Sequence, residues 1–222
     1  KEFFEKIRDE VPGIVIENCA SGGHRTEPGM VGVSSMSSFS DAHETPEIPI
    51  IAAQLHRILP VSKNQVWAVL RAEDSHQRLY YSLAATFLGR MCISGDIVDL
   101  SDEQFALILQ AQEFYQQIKP ILASGRSRIY DHTGLSRRYP TGWQALVRES
   151  QDGESALVVV HRFDCTHMDT SVEVPLSPGG IWEVEAAFSE NLVARVSDAK
   201  LCVEGSHSFV GAAYRLVLRR DI

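Results

Sequence analysis

The stretch IVIENCASGGHR, residues 14–25, passes without a break from an apolar run into a loop holding an acid, an amide, a thiol, two glycines, an imidazole and a guanidinium. An apolar triplet that short reads as a buried strand. It follows a helical stripe of Phe3, Phe4, Ile7 and Val11 that stops at Pro12 and Gly13. Helix and then buried strand predict an α/β layer. Strand-end loops with this mixture of groups are where α/β barrels keep their chemistry. Gly22 and Gly23 let the backbone approach a ligand or take a positive φ, while Glu17, Asn18 and Arg25 offer directional hydrogen bonds. A tight polar turn without function is the alternative, and the residues alone leave both open.

Further along, the Ser-rich residues 34–40, set among Val31, Val33, Met36 and Phe39, predict a short strand, and residues 46–59 a helix entered by proline. Residues 75–91 read as another helix, with Leu79, Leu83, Phe87 and Met91 on one side. Ser101 and Gln104 make a capping box for a helix with the stripe Phe105, Ile108, Tyr115, Ile118 and Leu122, ended by Gly125. Beyond it the helical period gives way to β-type runs at 143–147, 156–163, 171–174, 181–187, 201–203 and 214–218, separated by DG, SPGG and EGS turns. The expected fold class is therefore α/β plus all-β, an α/β domain over residues 1–125 and a small antiparallel β-sandwich domain over 126–222. Trp143, Phe163, Trp182, Phe188 and Tyr214 fall mostly within these runs, where core packing explains them better than a ligand platform.

Lys plus Arg number 21 against 29 for Asp plus Glu, a formal charge of −8, which argues against nucleic acid or an anionic membrane as the main partner. Cys19, Cys92, Cys165 and Cys202 are far apart and form no CxxC pair, so no disulfide framework is expected and a reducing, cytoplasmic location is. No apolar run approaches the roughly 18 residues of a membrane span, and the start KEFFEK does not read as a signal peptide. The absence of an initial Met leads us to expect a processed, trimmed or excised chain.

Asp41 closes the Ser-rich strand and precedes the proline-entered helix, so its carboxylate shares a rim with residues 17–25 if the two strands are parallel. Capping of the next helix is its alternative role. Cys19 as a nucleophile with His24 as its base has no support in the spacing. His161, Cys165 and His167 would share a face of an extended strand, but a zinc site needs a further ligand and none is evident. His43 and Glu44 open as HETPE rather than HExxH, and residues 29–32 lack a phosphate-loop pattern, so neither metal nor cofactor is expected.

Taken together, ENCASGGHR (17–25), Gly29 with Met30, Ser40 with Asp41, and RLYYSLAATFLGRMCISGDIVDLSDEQ (78–104) resemble glycoside hydrolase family 36, the melibiase or α-galactosidase family, across about residues 1–125. The resemblance implies the C-terminal part of a (β/α)8 TIM barrel, its last two strands, and a retaining hydrolase with two carboxyl groups. Asp41 matches the general acid that then serves as general base. Cys19 and Gly22, with Gly23 beside them, match the element that lies against the galactose ring. Arg25 matches the arginine that orders the loop or helps the acid, and Glu17 and Asn18 match the start of the block, in support of the residues touching sugar. The nucleophile aspartate would lie upstream of Lys1, which makes these residues inactive alone and leaves sheet edges and an apolar face exposed. The implied partner is an α-galactoside oligosaccharide, and a homo-oligomer of the whole enzyme is compatible with it. His24 stands for a glycine, Glu27 for an aspartate and Ser38 for a frequent tryptophan, which keeps α-N-acetylgalactosaminidase or another α-glycosidase open. A noncatalytic carbohydrate-binding protein is the alternative from another class.

Overall fold

In the computed structural model, which describes residues 1–19, 22–166 and 171–220, the chain opens with helix α1 (Glu2–Glu10) and then alternates strand and helix: β1 (Glu17–Asn18), α2 (Pro28–Val33), β2 (Met36–Ser38), α3 (Ile48–Leu55), β3 (Asn64–Leu70), α4 (His76–Thr86), β4 (Arg90–Gly95) and α5 (Asp102–Ser124). The four strands pair in chain order and all run parallel. Four parallel strands stand where the resemblance implied two. The two unforeseen ones are β3 and β4. The helix expected to reach Met91 ends at Thr86, because Phe87 and Leu88 turn the chain and Gly89 brings it against β3. A Cβ at Gly89 would stand 2.2 Å from the Asn64 carbonyl oxygen, so only glycine permits this approach. Burial of Met91 and Ile93 in the sheet then overrides the helical spacing. The first strand also lies later than expected, at Glu17–Asn18 rather than 14–16. None of the described helices is long and apolar enough to cross a membrane.

One face of this sheet packs on helices: Val66, Ala68 and Leu70 of β3 join Leu79, Leu83 and Phe87 in the core. Register and strand alternation place Glu17, Met36, Ser38, Gln65, Trp67, Cys92 and Ser94 on the other face. That face mixes polar with apolar side chains, unlike the apolar surface expected. Helix α5 carries the anticipated capping box: Ser101 Oγ accepts from the Gln104 N–H at 3.2 Å, and Gln104 Oε1 accepts from the Ser101 N–H at 2.9 Å.

After Gly125 come β5 (Arg126–Thr133), β6 (Gly142–Glu149), β7 (Ser155–Arg162), β8 (Ser171–Pro175), β9 (Ile181–Phe188), β10 (Val193–Ser197), β11 (Lys200–Glu204) and β12 (Val210–Arg219). They form a five-stranded sheet, β5-β6-β7-β12-β9, and a three-stranded sheet, β10-β11-β8, with antiparallel pairings throughout. The middle strands of the larger sheet, β6, β7 and β12, are buried on both faces. Leu146, Leu157, Val159, Phe188 and Ala213 pack on the helices, while Ala145, Val147, Val158, Val160 and Tyr214 pack on Val172, Val174, Leu201 and Val203 of the smaller sheet. This explains why β7 reads ALVVV instead of alternating. Phe163, Trp182, Phe188 and Tyr214 are buried as expected, while Trp143 is half-buried and stacks on His132 at 4.2 Å.

Candidate active site

Parallel pairing puts the C-terminal ends of β1 and β2 on one rim, and the loop between them folds back over that rim. Asn18 is buried and closes the loop: its Nδ2 donates to the Arg25 carbonyl at 2.5 Å and to Ser37 Oγ at 3.4 Å. Gly22 and Gly23 have φ of +76° and +87°, a region that favours glycine. A Cβ at Gly22 would lie 3.5 Å from Ser40 Cα and 3.6 Å from Asp41 N, and one at Gly23 would lie 3.1 Å from the Phe39 carbonyl oxygen. The glycine pair therefore rests directly on the backbone that presents Asp41. Thr26 Oγ1 donates to the Gly23 carbonyl at 2.8 Å and fixes the far side of the turn.

Glu17, Cys19, His24, Arg25 and Asp41 are all exposed. No hydrogen bond joins Cys19 to His24 among the described residues, which gives the thiol no base. Ala20 and Ser21 of the same block lie outside the described residues, as does His167. Of the other two residues in the zinc reading, His161 is fully buried and its Nε2–H donates to the Tyr81 carbonyl at 3.2 Å, while Cys165 Sγ donates to the Gly142 carbonyl at 3.2 Å. No group of three or more His, Cys, Asp or Glu residues suited to a metal occurs among the described residues.

Behind Asp41 the chain is held by local and distant bonds. Ser40 Oγ accepts from the Ala42 N–H at 3.0 Å, and Thr45 Oγ1 donates to the Ala42 carbonyl at 3.0 Å. The His43 ring lies against Trp67 with centroids 5.1 Å apart. Burial there lowers the His43 pKa, against the opposing pull of the Asp41 and Glu44 charges. Arg71 hydrogen-bonds Glu44 and holds its carboxyl below the usual carboxylate range. On the sheet face below the rim, burial pushes the Cys92 thiol up; a Gln65 hydrogen bond opposes this and the Glu17 charge adds to it. Gln65 Oε1 and Trp67 Nε1, both buried, have no hydrogen-bond partner among the described residues. Sequence reading missed Glu44, Trp67 and Arg71 as parts of this rim. Recognising NQVWAVL as a strand would have found Arg71, the first residue beyond its end.

A parallel sheet with loops gathered at its strand ends defines the class of α/β folds that place their sites at the carboxyl ends of strands. Within that class the chain has a GH36 α-galactosidase-like fold. The galactosidase domain of the α-galactosidase–sucrose kinase AgaSK superposes with a TM-score of 0.76 at 18% identity, covering 98% of this chain and 31% of its own. GH36 α-galactosidase AgaA A355E from Geobacillus stearothermophilus, in complex with 1-deoxygalactonojirimycin, gives 0.73 at 17% identity, covering 98% and 30%. The α-galactosidase from Lactobacillus brevis gives 0.68 at 14% identity, covering 100% and 31%. The chain thus spans about a third of the length of these structures. An α-amylase from H. orenii also matches, with a TM-score of 0.58 at 11% identity. At such identities the likeness concerns the fold. No protein-family profile matches the chain, and no curated protein does.

Proposed function

We infer that this chain is the C-terminal part of a retaining GH36-type glycoside hydrolase acting on terminal α-galactosides of oligosaccharides. Residues 1–125 would supply four strands of a (β/α)8 barrel, and 126–222 a β-sandwich domain. The observation that carries the reading is the Gly22–Gly23 turn seated on the backbone of Ser40 and Asp41, at adjacent parallel strand ends. The fold likeness supports it, as do the unpartnered Gln65 Oε1 and Trp67 Nε1 on the face that further barrel strands would cover.

In this reading Asp41 donates its proton to the departing glycosidic oxygen while an upstream aspartate, about 5 to 5.5 Å away, attacks the anomeric carbon. The resulting Asp41 carboxylate then takes a proton from the water that cleaves the glycosyl-enzyme, which restores both carboxyls. Cys19, Gly22 and Gly23 lie along the sugar ring, Arg25 orders the loop, and Glu17 and Asn18 brace it. Ser38, a small residue buried beside Gln65 where the resemblance expects a tryptophan, keeps an α-N-acetylgalactosaminide open as the second reading.

The test is hydrolysis of aryl α-glycosides, galactoside and N-acetylgalactosaminide among them, by the full-length protein and by its Asp41→Ala variant. We expect galactoside cleavage, with turnover reduced roughly 10²- to 10⁴-fold in the variant. Undiminished turnover on a substrate with a poor leaving group removes Asp41 from the role; cleavage of no glycoside turns the reading toward a carbohydrate-binding protein.

A further inference from the structure

Glu44 lies three residues beyond Asp41, on the loop that leaves β2, where the end of β3 reaches it directly and the end of β4 through Arg71. Arg71, just past β3, donates through Nε to Glu44 Oε1 at 2.7 Å and through Nη2 to Oε2 at 3.0 Å. Its Nη1 donates to Asp96 Oδ1, just past β4, at 3.1 Å. Asp96 Oδ2 accepts from the Ala72 N–H at 3.4 Å, and Asp74 Oδ2 accepts from the Arg71 N–H at 2.9 Å, so the guanidinium springs from a fixed turn. From α4, Arg78 donates to the Glu44 carbonyl and Tyr81 to the Pro46 carbonyl. The loop after Asp41 is thereby held at one carboxylate and two backbone oxygens.

These ion pairs add little stability, because Arg71, Glu44 and Asp96 side chains are 37%, 49% and 33% exposed. A two-pronged guanidinium–carboxylate contact supplies direction instead, which a lysine at the same place would not. A carboxyl that must first give a proton to the departing glycosidic oxygen and then take one from the water that enters in its place needs such direction. We propose that Arg71 is a positioning residue for Asp41, acting through Glu44 and tying together the C-terminal ends of β2, β3 and β4. This rests on the hydrolase reading above.

The test uses the full-length protein and a matched pair of α-glycosides of the sugar it cleaves, one with a poor alkyl leaving group and one with a dinitrophenyl group that needs no acid. The variants are Arg71→Ala, Arg71→Lys and Glu44→Gln. For Arg71→Ala we expect kcat to fall roughly 100-fold more on the alkyl than on the dinitrophenyl substrate, the scale of an ångström-sized misplacement. KM for the alkyl substrate should stay within about twofold. Arg71→Lys should fall between Arg71→Ala and wild type. Azide, which attacks the glycosyl-enzyme without needing a base and leaves as the glycosyl azide, should accelerate dinitrophenyl glycoside turnover in the variants and not in wild type. Equal loss on both substrates without azide acceleration means a structural contact only and overturns the proposal, as do unchanged kinetics. Should Arg71→Ala fail to fold, Glu44→Gln gives the same ratio. A wild type that cleaves no α-glycoside overturns the hydrolase reading and this proposal with it; an active wild type disabled by Asp41→Ala but indifferent to Arg71→Ala overturns the proposal alone.

Discussion

At Gly23 an added methyl would sit 3.1 Å from the Phe39 carbonyl oxygen, on a backbone with φ of +87°. An L side chain in that region costs about 1 to 2 kcal/mol, and here relief would push the loop off the Ser40–Asp41 backbone. Gly23→Ala should therefore lower the melting temperature and, on the proposed reading, the glycosidase activity of the full-length protein as well. Gly29→Ala is the control, since nothing lies within 4 Å of its added methyl. Equal melting of the two variants would show that the turn yields freely. That Gly22, Gly23 and Asp41 share one rim was legible because all three lie within 20 residues in one recognisable pattern. Arg71 was not, because its partners Glu44 and Asp96 stand 27 and 25 residues away and nothing local marks it.

Among elements, the six β runs read after residue 125 all became strands: β6, β7 and β12 are apolar because they are buried on both faces, while β8 and β11 carry apolar residues on the face turned to the core. The strands missed there, β5 and β10, hold only exposed and half-buried residues, so their hydrophobic signal is weak. β4 was hidden differently: Met91 continues the i, i+4 spacing of Leu83 and Phe87, and only contact with β3 decides against a helix. Two histidines set between elements carry a pH dependence of their own, His161 where β7 meets α4 and His56 at the end of α3. His161, buried there, and His56, whose Nε2–H donates to the Leu88 carbonyl, are each lowered by burial to about 4. Both stay neutral in the fold but take up protons near 6.5 once unfolded. The unfolded chain binds the extra protons between those values, so stability is full above pH 6.5 and declines as pH falls toward 4. Each site contributes on the order of 3 kcal/mol. Urea midpoints at a series of pH values should show this decline, and His161→Gln should make it shallower; an unchanged slope would clear His161 of it.

For the molecule as a whole, β1 and β4 are the two edges of the parallel sheet, and its far face holds Trp67 and Met36 beside polar groups. On the proposed reading, the 222-residue chain alone should bind ANS and self-associate, while the full-length protein should do neither. A compact, ANS-silent monomer of the short chain would contradict this. The two ends of the chain are joined less by a linker than by a common interior. Phe87 of the α/β part meets Phe188 of β9 at 5.2 Å and Phe114 of α5 at 5.0 Å, and Arg148 of β6 donates to the Ile121 and Leu122 carbonyls at the end of α5. A volume lost at Phe87 must be regained at Phe188 or Phe114, across that seam. The β-sheets are thus poor currency for domain shuffling: exchanging them for another module would require α4 and α5 to be rebuilt at the same time.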